Sequence, residues 1–422
     1  MGHPSTEEES TMLRRSLQVL VILAAPATAL AFDPIDTLRF PSSGVFPAYP
    51  PDPVSPRNFW MQAGILRDNN VVRRGGGLRE SETVTRLGAG VSADQRVWGR
   101  QSVHLEARAD AYKFNNLSEL DHVAYGALGE LRWELGNQLA GTAGYGRRHY
   151  LVDLGERLTV ARDTVTENHF FGSAAYALTP RWRLRGAFDH LDTDRPELAA
   201  AGTKVTSAVG GLEYATPLGN AIGVEARAST GDAPVDETID PSGLAINNDY
   251  DEHEIAATLT YRPSPALRVG ARLGQTERSY TVLPNRDFEG TTGRLDTEWR
   301  PGNKTTLGLS VYRVPRSIID IGASHFIVEG VSFGPTWAPR QKLVFGARLI
   351  SEDREYAGDP AAALGLVPVR QETVRAWRFT AGWEVTRHHQ IAAAFETGER
   401  RSNRLGFDYD YDTVMANLRY IF

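Results

Sequence analysis

Arginines and carboxylates recur at every second position in many segments of this chain. In RWRLRGAF, Arg181, Arg183 and Arg185 oppose Trp182, Leu184 and Phe188. In SVHLEARADAY, His104, Glu106, Arg108 and Asp110 alternate with Val103, Leu105, Ala107, Ala109 and Ala111. In RLDTEW, Arg294, Asp296 and Glu298 oppose Leu295 and Trp299. A spacing of two puts such residues on one face of an extended strand. A face charged in both signs suits a wet wall that guides an anionic or sugar-rich solute. Its candidate members are Arg108, Arg132, Arg183, Arg185, Arg268, Arg272, Arg294, Arg348, Arg378, Glu106, Glu130, Asp296 and Glu384. The blander reading of the same residues is ion pairs that only keep the wall hydrated.

Catalysis is the competing chemistry. His104, His122, His149, His169, His190, His253, His325, His388 and His389 are scattered, with no nucleophile spaced beside a base. Asp189-His190, followed by Asp192 and Asp194, is polar enough for a cation or a general base. The run DYDEHE offers Asp249, Asp251, Glu252, His253 and Glu254, either as cation ligands or as a solvated loop end. It lacks the spacing of a known calcium loop. There is no Walker motif, dinucleotide fingerprint or HExxH pair. The chain reads as a non-enzyme with no metal and no cofactor, and a barrel enzyme or structural envelope protein stays as an alternative.

The elements that must position these residues are strands. Period two recurs along the chain, and period two over so many segments excludes amphipathic helices. The alternation predicts eighteen strands. They cover about 58–67, 82–96, 101–114, 121–134, 138–152, 164–178, 181–191, 203–216 and 220–230, then 250–262, 266–280, 288–300, 304–314, 324–337, 341–352, 372–386, 390–400 and 409–422. Many are longer than the usual strands of soluble sheets and long enough to cross a bilayer when tilted. Very short connections such as Leu135-Gly136-Asn137 and Pro301-Gly302-Asn303 alternate with longer polar ones such as Asp153 to Arg162 and Thr230 to Asn248. Trp98, Trp133, Trp182, Trp299, Trp337 and Trp383 lie in or near the short turns, which suits a periplasmic aromatic girdle. The fold expected is all-β, a transmembrane antiparallel β-barrel of the outer-membrane type with about eighteen strands. Its first strand, around Phe59-Trp60-Met61, should pair with its last. A soluble β-sandwich explains the alternation but neither the strand length nor the two classes of connection.

Formal net charge is -6 over 422 residues, which argues against a nucleic-acid partner. The absence of cysteine excludes disulfides and thiolate metal sites. Arg14 and Arg15 precede SLQVLVILAAPATALA, and Ala29 and Ala31 form an A-x-A site. Residues 1–31 are therefore expected to be a signal peptide, with a buried N-terminal helix as the alternative. Residues 32–57 form a proline-rich periplasmic leader or partial plug, and 58–422 the barrel. The loops 231–249 and 353–371 are candidates either to fold inward and narrow the channel or to decorate the surface. In the last strand Val414, Ala416, Leu418, Tyr420 and Phe422 share one side. The terminal Phe422, with Tyr420 and Leu418, suits the mark read by the barrel-assembly machinery.

FDPIDTLRF, with Asp36, Leu38 and Phe40, and the later phrase Asp68-Asn69-Asn70-Val71-Val72 resemble exopolysaccharide-biosynthesis outer-membrane proteins of the EpsL type, within a broader group of β-barrel porins. The resemblance implies a channel in the outer membrane of a Gram-negative bacterium, serving a hydrophilic solute or exopolysaccharide export. The partners it implies are outer-membrane lipid and lipopolysaccharide, the assembly machinery, a polysaccharide and a periplasmic export complex. A general diffusion porin is the alternative.

Overall fold

Alternation fixes which side chains share a face, and hydrogen bonding must then satisfy every backbone group between them. The computed structural model describes residues 57–75, 79–152, 154–156, 162–197, 202–232, 249–281, 286–320, 323–357, 362 and 366–422. The expected signal peptide, and the leader up to residue 56, lie outside the described residues.

Eighteen strands form one sheet. They are β1 (Arg57–Asp68), β2 (Glu82–Trp98), β3 (Gln101–Phe114), β4 (His122–Leu135), β5 (Leu139–Leu151), β6 (Thr164–Ala177), β7 (Trp182–Asp194), β8 (Thr203–Ala215) and β9 (Ala221–Asp232). The rest are β10 (Tyr250–Ser264), β11 (Leu267–Tyr280), β12 (Phe288–Gly302), β13 (Thr305–Asp320), β14 (Ala323–Arg340), β15 (Leu343–Ala357), β16 (Gln371–Glu384), β17 (His389–Ser402) and β18 (Tyr409–Ile421). Each pairs antiparallel with the next. β1 also pairs with β18, from Trp60 opposite Ile421 to Asp68 opposite Thr413. The ring is therefore closed and leaves no edge, as hydrocarbon demands of a sheet.

Outer and inner faces differ as an outer-membrane barrel requires. Leu87, Ile255, Leu273 and Val414 are exposed on the outside, at 60%, 71%, 63% and 57%. In β18 the opposite face carries Thr413, Met415 and Asn417, all buried. Strands are joined by tight turns at one end, for example 99–100, 136–138 and 303–304, and mostly by longer segments at the other. The exception among the longer segments lies between β13 and β14. The strand expected over 304–314 runs further, to Asp320. Pro315 stays in register opposite Ile327 within that strand.

Prolines at the tight-turn end also sit inside the ladder rather than in the turn. The register shifts between Tyr261 and Ser264, Trp299 and Gly302, and Trp337 and Arg340. These intervals contain Pro263, Pro301 and Pro339, which have no N–H to give a neighbouring strand.

On the inner face, aromatic rings lie over glycines directly across the ladder. Trp60 covers Gly90, Phe171 covers Gly144, Tyr250 covers Gly231, Tyr312 covers Gly330 and Tyr411 covers Gly398. A glycine opposite a large ring lets the ring lie flat along the wall. A Cβ at Gly330 would stand 2.5 Å from Tyr312 Cζ, a clash. Gly330→Leu should therefore lift Tyr312 away from Glu352, at about 1–3 kcal/mol of overpacking. The urea midpoint of the refolded barrel should fall. An unchanged midpoint would show that the ring has room to move.

Candidate functional site

The inner wall carries many ion pairs, some buried and some part-exposed, most of them set by strand register. Arg272 on β11 reaches Glu225 on β9 at 2.8 Å and also grips Glu254 on β10. Thr292 on β12 donates to the same Glu254 at 2.8 Å. Arg278 holds Glu252 at 2.7 Å and lies 4.1 Å over the Tyr250 ring. The DYDEHE run is thus mostly strand and not a loop end. Glu252 and Glu254 are buried inside, and Asp251 and His253 face out.

The wall continues in the same manner. Arg294 meets Asp296 at 2.7 Å, and Ser310 donates to Asp296 at 2.6 Å. Tyr312 donates to Glu352 at 2.6 Å, with Arg354 at 2.7 Å and Arg316 at 3.6 Å from that carboxylate. Arg378 pairs with Glu396, which also accepts from Tyr411 at 2.6 Å. Arg348 stands across from Arg378 and donates to Ser332 at 3.3 Å. Arg183 and Arg185 share Glu213, at 3.6 and 3.1 Å. Arg132 pairs with Glu130. Arg268 stands opposite Glu298, Arg108 opposite Gly126 and Glu106 opposite Leu128. Glu384 is 3.8 Å from Lys342 Nζ. The arginines of β7 and β11 rest on different carboxylates and do not converge on one point. A buried pair adds little net stability over an apolar one. Its effect here is to fix the wall's shape and keep it charged.

Six tryptophans sit toward the tight-turn end. Trp98, Trp182, Trp299, Trp337 and Trp383 are exposed, and Trp133 is half-buried above Gly141. Trp60 lies inside.

Of the two loops that are candidates to fold inward, 233–248 and most of 358–365 lie outside the described residues. β15 runs on to Ala357, so part of the expected loop 353–371 is strand. The described inward segments follow β1, β3 and β5. Leu120 and Leu154 join Leu66, Val84, Phe114, Leu151, Ala394 and Met415 in one buried apolar cluster, with Val71 and Leu117 against it. Val72 is fully buried as well. Sequence reading missed this. Its signal was the set of apolar residues at inner-face positions, namely Leu66, Val84, Phe114 and Met415, all near the long-loop end.

A second missed feature locks the seam between first and last strands. Asp68 Oδ1 and Oδ2 accept from Arg73 at 2.9 and 2.8 Å. Asp68 also accepts from Thr413 Oγ1 at 2.7 Å and from the Asn70 N–H at 2.8 Å. Asn69 and Asp412 exchange bonds, backbone to side chain at 2.8 Å and side chain to side chain at 2.9 Å. Asn70 Nδ2 donates to the carbonyls of Arg74 and Asp410, at 2.8 and 2.7 Å. Arg73 lies 3.8 Å over Tyr411. The phrase Asp68-Asn69-Asn70 is thus structural, a clasp from the end of β1 to β18.

Histidines stay apart. His169 meets Asp189 at 2.6 Å and His104 meets Asp94 at 2.9 Å. His149 and His190 bond Thr166 and Thr206. Among the described residues no group of three or more His, Asp or Glu side chains is placed to hold a metal.

A closed ring of eighteen antiparallel strands, apolar outside and charged inside, defines an outer-membrane β-barrel, at home in the outer membrane of a Gram-negative bacterium. No family model matches the chain, and no curated protein does. Solved structures similar to it include the outer membrane protein OpdK of Pseudomonas aeruginosa. That chain is 11% identical with a TM-score of 0.47, over 87% of this chain and 99% of its own. OccK2 (OpdF) of the same species is 11% identical with a TM-score of 0.49, over 87% and 98%. A BenF-like porin of Pseudomonas fluorescens Pf-5 is 9% identical with a TM-score of 0.48, over 87% and 99%. The barrel assignment rests on the strand ring itself and not on these likenesses.

Proposed function

We propose that this barrel is a selective outer-membrane channel for small hydrophilic solutes. The observation that carries the reading is the contrast within its interior. The wall is lined with charges of both signs, many of them paired, while near the long-loop end the segments after β1, β3 and β5 pack an apolar cluster, which in this reading narrows the mouth. A polar wall replaces water around a solute, and a narrowed mouth limits its size. The thirteen arginines and acids named from the sequence are the proposed wall. A general diffusion porin fits the narrowed mouth less well. Export of exopolysaccharide is the finer role implied by the EpsL resemblance. The Asp68-Asn69-Asn70 phrase does not favour it, because those side chains are engaged in the seam.

Planar-bilayer recording of the refolded protein tests the reading. Small, discrete openings are expected. Leu120→Asp with Leu154→Asp should loosen the inward segments and raise conductance severalfold, since a carboxylate does not stay in an apolar cluster without a partner. A wild-type barrel with no conductance would overturn the channel. An unchanged conductance in the double variant would place the constriction elsewhere.

A further inference from the structure

The outer face changes from apolar to charged at one level on several strands. Leu139 and Arg147 of β5, Trp182 and His190 of β7, Trp337 and Glu329 of β14, and Trp383 and Arg375 of β16 are each eight residues apart. The outward residues between them carry no charge. Eight residues of tilted strand cover roughly 20 Å of depth, close to the height of a barrel's apolar band. Arg147 thus stands where hydrocarbon meets headgroups, at the long-loop end. With the tryptophan ring as the periplasmic girdle, this level lies in the outer leaflet.

Other arginines at this level rest on carboxylates. Arg313 pairs with Glu329, and Arg375 and Arg401 share Glu399. Arg147 is different. It is exposed, and the hydroxyls of Tyr125 and Tyr145 meet its guanidinium. Among the described residues it has no carboxylate partner. Asn168 stands directly opposite Arg147 on β6, and Tyr145 Oη donates to Asn168 Oδ1 at 2.9 Å. The Tyr145 proton is spent there, so its oxygen is left for Arg147, and the Asn168 amide is left with Nδ2. The Tyr125 ring stacks on His149 at 5.0 Å, and His149 Nδ1 bonds Thr166 Oγ1 at 2.9 Å. Asp192, beyond Asn168 on β7, stands opposite Lys204. The group therefore offers a guanidinium and an amide N–H, both donors, on a frame of fixed rings. Donors around an unpaired positive charge fit an anion, and the guanidinium fork suits phosphate.

The wall beneath is low. Toward the tight turns, the outward places hold Ala143 opposite Gly172 and Ala174 opposite Gly186. A Cβ added at Gly172 or Gly186 would meet nothing nearer than a backbone oxygen at 3.7 or 3.9 Å. An acyl chain can lie on such a strip. The two features together describe a lipid, with an anionic head above and a chain below.

We infer that Arg147, Tyr125, Tyr145 and Asn168 form a docking site on the outer face for the phosphorylated glucosamine headgroup of lipopolysaccharide. One of its acyl chains lies on the strip over Ala143, Gly172, Ala174 and Gly186. The site is separate from the passage through the barrel and does not depend on it. Phospholipids also carry phosphate, and an interfacial arginine can simply reach for water, so the test must separate these cases.

Native mass spectrometry of the full, refolded barrel in detergent does so, titrated with bisphosphorylated lipid A, its dephosphorylated form or phosphatidylglycerol. Folding of each variant is checked by heat-modifiable mobility on gels. Wild type should retain one lipid A. Arg147→Gln should weaken that binding at least about tenfold, the scale of a lost hydrogen bond to a charged group. Asn168→Leu should weaken it less. Arg313→Gln, whose guanidinium is already paired, should bind as wild type does. Dephosphorylated lipid A should bind wild type as weakly as intact lipid A binds Arg147→Gln. No retention by wild type, equal retention by Arg147→Gln, or an equal loss in Arg313→Gln would overturn the site. Phosphatidylglycerol bound as tightly as lipid A would overturn the glycolipid and leave a general contact for anionic lipid.

Discussion

Asp68→Ala should open the barrel at its seam. The carboxylate is 2% exposed and takes two bonds from Arg73, one from Thr413 and one from the Asn70 N–H. Its removal takes the two Asp68 bonds from the buried Arg73 guanidinium, a change on the scale of breaking a buried pair, about 3–5 kcal/mol. The loss falls on the one strand pair whose members are far apart in the chain. Asp68 and Thr413 are joined only through the closed ring. Arg73 holds a left-handed φ of 55°, uncommon for a residue with a side chain, so the clasp must hold the segment against its own preference. The measurement is the fraction of refolded protein with heat-modifiable mobility, together with the urea midpoint. Asp68→Asn keeps one acceptor oxygen, enough for the Asn70 N–H but not also for Thr413, and should fall between wild type and Asp68→Ala. A wild-type midpoint in Asp68→Ala would show that the β1–β18 ladder closes without the clasp.

The strands were legible because lipid imposes a strict rule on them. In β18, the run from Thr413 to Phe422 keeps an apolar or aromatic residue at every lipid-facing place, and the structure puts Val414, Leu418 and Phe422 outside and Thr413, Met415 and Asn417 inside. One wrong residue there would face hydrocarbon, so sequence and face stay locked together. The interior is under no such rule. Leu66 and Phe114 occupy inner positions because segments after β1, β3 and β5 cover them, and period two cannot show what covers a face. Partner choice was equally hidden. Arg272 and Glu225 are 47 residues apart, and only the register of β9, β10 and β11 brings them to 2.8 Å. The face of each arginine could be read from its neighbours, but its carboxylate could not. The strand expected over 304–314 continues past Pro315, because that residue keeps its register opposite Ile327.

Deleting Phe422 should lower the amount of barrel in the outer membrane far more than it lowers the stability of barrel already there. The side chain is 59% exposed. Its ring lies 4.9 Å from Phe59 and 4.8 Å from Tyr420, on the lipid side of the seam. Its backbone N–H donates to the Phe59 carbonyl at 2.9 Å. In the finished barrel it therefore contributes one terminal hydrogen bond, about 1 kcal/mol, and ring contacts that lipid tails can replace. We propose that Phe422, with Tyr420 and Leu418, acts earlier, as the apolar strand end that assembly machinery engages before β18 meets β1. Two measurements separate the stages. Membrane fractions from cells should show the deletion variant strongly depleted. Refolding of the same variant into lipid vesicles without any machinery should give near wild-type yield and urea midpoint. An equal loss in both would make Phe422 a structural end-cap. Normal membrane levels would remove the assembly role. Phe422→Tyr keeps an aromatic end and should restore most of the membrane level, because the surface offered to the machinery is nearly unchanged.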